Sequence, residues 1–132
     1  MSNDVVDRAR SLIGTRFRAQ GRDPAYGLDC LGLAMLAYRI DEIGVRRDYR
    51  LSGDHRRELM TRLADGFRRV SPRTARAADL MLIEVAANQC HLAVRTASGF
   101  VHADARRGVV ETPGAPSWPV VATFRLQTRG RS

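Results

Sequence analysis

Apolar residues in the first third of the chain recur with a helical period. Val5, Val6, Ala9, Leu12 and Ile13 fall on one stripe, Asn3 or Asp4 stands where a cap belongs, and Gly14 stops the run. Thr15 to Gly27 reads as a loop broken by Gly21, Asp23-Pro24 and Gly27. A second helix is predicted from Asp29 or Cys30 through Leu33, Leu36 and Ala37 to about Ile43, ending at Gly44. A third follows Ser52-Gly53-Asp54 and runs through Leu59, Met60 and Leu63 to Phe67, with a heavily charged outer face. Past Pro72 the period falls towards two. Leu80–Val85, His91–Thr96, Phe100–Ala103, Val109–Thr112 and Val120–Leu126 read as five short strands. Ser98-Gly99, Gly108, Pro113-Gly114 and Pro116 separate them. Helices first and strands afterwards predict an α+β fold with an antiparallel sheet packed on a helix.

The 132 residues suit one domain, expected over residues 1–127, with Thr128 to Ser132 as a disordered tail. The apolar stretch from Leu28 to Tyr38 is interrupted by Asp29 and too short to span a bilayer, so no membrane insertion is expected. Asp4, Asp7, Arg8 and Arg10 leave no signal-peptide core in the first 13 residues, so synthesis in the cytoplasm is expected. The net charge is +8, and all 22 basic residues are arginine. A GC-rich genome explains that choice, and the arginines are spread without the aromatic interleaving of a single-strand binder. Nucleic acid is not expected as a partner.

Two cysteines make no disulfide framework and no C-x-x-C pair, so thiol chemistry here belongs to one sulfur with helpers. Cys30 falls at the predicted start of a helix, where unpaired N–H groups favour thiolate and can bind an oxyanion. Gly32 leaves room beside it for a substrate backbone. The bland alternative is a buried small residue in an apolar helix. Of three histidines, His91 and His102 lie on adjacent predicted strands; His91 shares a face with Ala93 and Arg95, opposite Cys90, Leu92 and Val94, and His102 shares a face with Phe100. A hairpin can set one ring beside the other, so that His102 orients His91. Thiol, base and orienting partner form the pattern of nucleophilic acyl transfer. The residues alone leave this reading and a purely structural one open. His55 reads as a surface residue and Cys90 as core. Asp29 reads as a helix cap or loop anchor. Zinc spacings are absent, so neither a metal nor another cofactor is expected.

At these residues the sequence resembles the NlpC family of cell-wall cysteine endopeptidases. The family's I-G-T-P-Y motif is matched by Ile13-Gly14-Thr15-Arg16-Phe17, and D-C-x-G-L by Asp29-Cys30-Leu31-Gly32-Leu33. P-G-D-L stands as Ala77-Ala78-Asp79-Leu80, H-V-G-I as His91-Leu92-Ala93-Val94, and F-I-H-A as Phe100-Val101-His102-Ala103. The resemblance implies a papain-like fold in which the nucleophile helix packs on the five-stranded sheet. It gives Cys30 the role of nucleophile, His91 that of base and His102 that of orienting residue. Phe17, Gln20, Asp29 and Gly32 are the implied substrate-side residues. The implied substrate is the peptide stem of peptidoglycan, often cut between D-glutamate and a diamino acid. Leu31 after the cysteine and the small size resemble the phage-tail branch, which includes the peptidase of gene transfer agents. Tail or baseplate proteins are therefore the implied partners, with action at the cell wall from a phage-like particle. Phe17 replaces a common tyrosine and removes a hydroxyl donor, which puts weight on backbone N–H groups and Gln20. Ala78 replaces the strand-entry glycine. The alternatives are a tail protein that keeps the fold without useful catalysis, and an amidase or acyl transferase acting on another amide.

Overall fold

The computed structural model describes residues 3–40, 60–61, 63–64, 66–86 and 89–127. Helix α1 (Asn3–Ser11) turns Val5, Val6 and Ala9 inward, whereas Ile13 lies past its end and is exposed. The expected loop of 15–27 carries a small antiparallel ribbon, β1 (Arg22–Asp23) and β2 (Gly27–Leu28). Asp23 closes its turn by accepting from the backbone N–H of Ala25, at 2.9 Å. Helix α2 (Cys30–Ala37) buries Cys30, Leu31, Gly32, Leu33, Ala34 and Ala37, as an almost wholly apolar helix must. The helix expected to run to Ile43 ends earlier, at Ala37: Tyr38 caps it and Arg39 takes the left-handed region at φ +56°, so the chain turns away before residue 41. Residues 41–44, most of the third helix including His55, and the tail from Thr128 lie outside the described residues.

Among the described residues the main sheet has six antiparallel strands rather than five. They are β3 (Phe67–Val70), β4 (Leu80–Ala86), β5 (Gln89–Arg95), β6 (Gly99–Asp104), β7 (Gly108–Pro113) and β8 (Val120–Leu126), ordered β3-β8-β4-β5-β6-β7. The five expected strands are all present. The additional one begins at Phe67, which the helical pattern places in the last turn of the third helix. Met60, Thr61 and Leu63 are indeed helical, but the chain turns at Gly66, and Phe67 then pairs with Leu126. Four residues, with two exposed arginines between two buried apolar ones, are too few to reveal a period of two.

Alternation gives the sheet two apolar faces. Leu80, Leu82, Leu92, Val94, Val101, Ala103, Ala122 and Phe124 join residues of α1 and α2 in the main core. Met81, Ile83, Ala93 and Phe100 form a second cluster on the other face, with Val85 and Trp118 packed against it.

The entry to β4 is tied from several sides. The N–H of Ala78 donates to the carbonyl of Arg95 at 2.8 Å, the Tyr38 hydroxyl donates to the carbonyl of Ala78 at 2.8 Å, and Arg125 grips Asp79 with two bonds of 2.8 Å. Ala78 sits at φ +77°, the left-handed region in which a β-carbon is crowded. Its departure from the family's glycine is thus a backbone cost at a clamped position. Ala78→Gly is expected to stabilise the fold by about 1 kcal/mol. A thermal melt should then rise by roughly 3–5 °C; an unchanged or lowered midpoint would show that the strain is relieved elsewhere.

Candidate active site

Helix α2 starts at Cys30 because Asp29 caps it. Its Oδ1 accepts from the N–H of Gly32 at 2.8 Å and from Arg22 at 2.8 Å, and its Oδ2 accepts from the N–H of Gln20 at 2.9 Å. One carboxylate therefore fixes the helix start, the ribbon and the preceding loop together. Gly32 is buried, and a β-carbon built on it would lie 2.1 Å from the carbonyl oxygen of Gly21. The room expected there for a substrate backbone is filled by the loop itself. The glycine of D-C-x-G-L is needed here for loop-on-helix packing.

Phe17 bridges Leu28, flanked by Arg18 N–H to Leu28 carbonyl (3.1 Å) and Leu28 N–H to Arg16 carbonyl (3.0 Å). Its ring packs against the main core. Gln20 is exposed, at φ +61°, and takes part through its backbone N–H on Asp29, not through its amide.

The Cys30 sulfur is buried with the residue 1 % exposed, and the N–H groups of Leu92 and of Cys30 itself point at it. The β5–β6 ladder stops at Ala93 opposite His102, and the Leu92 N–H, one residue further on, serves the sulfur. The thiol thus lies against the peptide that joins His91 to Leu92. Its protonation differs from the sequence expectation. Burial first, and then the Asp29 charge, push the thiol up to about 12, outweighing those N–H groups and Arg22. The helix start favours thiolate, but desolvation wins, and near neutrality the sulfur carries its proton.

His91 is half-buried. Burial holds it below the ordinary imidazole range, while Asp104 and Asp29 pull the other way. Its ring has no hydrogen-bond partner within the protein among the described residues. His102 does not stand directly opposite it. The register sets His102 across from Ala93, and its Nε2 lies 3.1 Å from Thr112 Oγ1. Phe100 and Trp118 stack around it, with ring centroids 4.9 and 6.1 Å away. The expected ring-to-ring hydrogen bond is therefore replaced by one to β7. The two rings still feel each other, because the charge of His91, after burial and among other groups, helps depress His102.

Among the described residues, no group of three or more His, Cys, Asp and Glu is arranged to hold a metal ion. Sequence reasoning missed Arg22 and Thr112. The register that sets His102 opposite Ala93 was within reach of it. The hairpin turns on Ala97-Ser98, one residue earlier than the Ser98-Gly99 signal, and counting outward from there pairs Ala93 with His102.

No protein-family model matches the chain, and no curated protein matches it. Solved structures do. An NlpC/p60 family protein from Bacillus cereus superposes with a TM-score of 0.70 at 17% identity, over 96% of this chain and 40% of that one. The NlpC/p60 domain of the peptidoglycan hydrolase SagA gives 0.62 at 22% identity, covering 86% of this chain and 89% of that one. The chain has the NlpC/p60 fold. Within that fold the neighbours differ in what they do. RipD of Mycobacterium tuberculosis, described as a non-catalytic NlpC/p60 domain adapted to peptidoglycan binding, superposes at 0.61 with 17% identity over 94% of this chain and 95% of its own. At these identities the likeness establishes the NlpC/p60 architecture, and the chemistry has to be argued from the side chains.

Proposed function

We propose that this protein is a cysteine peptidase acting on the stem peptides of peptidoglycan, at a D-glutamyl–diamino acid bond, from a phage-like tail or gene transfer agent particle. The observation that carries it is the Cys30 sulfur at the start of α2, set against the His91–Leu92 peptide within an NlpC/p60 fold. The bond and the carrier particle rest on the sequence motifs alone.

With both groups neutral at pH 7, His91 works as a general base. The sulfur bonds to the scissile carbonyl carbon as its proton passes to His91. The carbonyl oxygen becomes an oxyanion beside the α2 N-terminus. The C–N bond then breaks, and the leaving amine takes the proton held on His91. A water molecule, deprotonated by the same ring, breaks the thioester and restores the thiol. Because His91 titrates below its ordinary value, the base is already free at pH 7, and activity should be lost only as pH falls below about 6.5.

The buried sulfur and the unpartnered His91 ring favour a second reading, a domain that binds peptidoglycan without cutting it. One experiment separates the two. Purified wild type and Cys30→Ala are incubated with peptidoglycan, and soluble muropeptides are identified by mass spectrometry. Release by wild type alone, several orders of magnitude above the variant, supports the peptidase. Equal release by both removes Cys30 from the chemistry. Co-sedimentation of both with the wall and no release by either supports the binding module.

A further inference from the structure

A recess lies at the end of α2 away from Cys30. Tyr38 caps that end and donates to the Ala78 carbonyl, and the eight residues of the helix set it about 12 Å from the nucleophile's end. There a cavity of about 400 Å³ opens between the first turn of α1, the entry to β4, the start of β3 and the end of β8. Arg68, Arg76 and Arg125 line it, with Val5, Ala77 and Leu126 as apolar wall. The register sets Arg68 directly opposite Arg125 across the β3–β8 pair, where like charges repel. Asp79 answers Arg125 alone, holding its Nε and Nη2 at 2.8 Å. Among the described residues Nη1 of Arg125 has no hydrogen bond, and no carboxylate pairs with the side chain of Arg68 or Arg76. The hollow therefore carries two uncompensated guanidinium charges beside a third that is locked in place.

From this convergence we infer that the recess is a second binding site, which takes the carboxylate end of a peptide, and that on the wall this is a stem peptide other than the one at Cys30. The anion chemistry stands on the arginines and the cavity; the wall origin of the peptide rests on the function proposed above. Arginines on a merely solvated face have no need of a hollow or of a like-charged neighbour directly across the strand. A planar guanidinium matches a carboxylate with two parallel hydrogen bonds. The apolar wall suits a short aliphatic side chain next to the carboxylate, which a phosphodiester polymer does not carry. Held at the far end of α2, a second stem keeps the protein on the wall between cuts.

NMR spectra of the full chain carrying Cys30→Ala, which cannot cut what it binds, read the two ends of α2 separately. The probe is the soluble stem peptide L-alanyl-γ-D-glutamyl-diaminopimelyl-D-alanine. Its addition should shift the amide signals of Ala77, Ala78 and Gln127 in a saturable way, and the same peptide with its carboxylates amidated should not. Arg68→Gln with Arg76→Gln should weaken that binding about tenfold or more, the loss expected with a charge-assisted hydrogen bond. Arg68→Gln also removes a like-charge pair, so the melting midpoint should hold or rise, which separates lost binding from lost fold. Unmoved signals at Ala77, Ala78 and Gln127, or shifts that persist in the doubly substituted chain, overturn the site. Shifts with a glycerol-phosphate oligomer and none with the peptide overturn the carboxylate assignment. Muropeptide release by wild type without these shifts rejects the second site and keeps the peptidase. The shifts without any release by wild type keep the second site and reject the peptidase.

Discussion

Iodoacetamide at pH 7.5 is expected to modify Cys30 in the folded protein at least about 50-fold more slowly than an ordinary cysteine. With its thiol pushed up to about 12 from 9.0, the thiolate fraction near neutrality falls by about 1000-fold. A more basic thiolate is also more nucleophilic, which returns roughly 20-fold of that loss. A residue only 1 % exposed adds a barrier of access on top. Peptide mapping after timed quenching measures it, with Cys30 and Cys90 both labelling quickly once the chain is unfolded in denaturant. The result decides between two forms of the reaction. Rapid modification at pH 6.5 would mean a standing thiolate–imidazolium pair, which the burial of Cys30 and the depression of His91 both oppose. Slow modification together with peptidoglycan release would mean that the proton moves only as the substrate is attacked.

Arg125→Ala should be among the most damaging single substitutions in the sheet, at about 3–5 kcal/mol. Asp79 is 1 % exposed, and both its oxygens are held by Arg125, with Oδ2 also taking the Arg76 N–H at 2.9 Å. Removing the guanidinium leaves a buried carboxylate with one neutral donor. It also frees the carbonyl of Thr74, which the same guanidinium holds at 2.9 Å. The β4 entry then loses the bond that spans to β8. Thermal melting should fall by roughly 10–20 °C. The paired replacement Asp79→Leu with Arg125→Met should recover much of it, because no charge is then left behind. A loss below about 1 kcal/mol in the single variant would place this pair with exposed ion pairs, which contribute little.

The parts of this protein differ in how far the sequence reveals them. The five longer strands and α1 could be read because each spans more than two repeats of its own period, whereas α2, almost wholly apolar, shows only its start at Asp29-Cys30. Phe67–Val70 could not be read, because its two apolar residues stand three apart, a helical spacing, directly after a helix. D-C-x-G-L announced a helix start with a capping aspartate, and Asp29 does cap α2. The same motif left open what Gly32 was for, because the answer is a carbonyl of Gly21, eleven residues away.

Local order along the chain thus determined the class of fold, the placing of Cys30 at a helix N-terminus and the facing of His91 and His102, since these depend on neighbours within a few residues. Tertiary structure decided the rest. Whether the thiol ionises depends on how much water reaches it, and that is set by every element packed around α2. Which residue of β6 stands opposite Ala93 depends on the register of a hairpin, where moving the turn by one residue exchanges one partner for another. Charge state and cross-strand partnership are properties of distances through space, and a linear order of residues does not contain them.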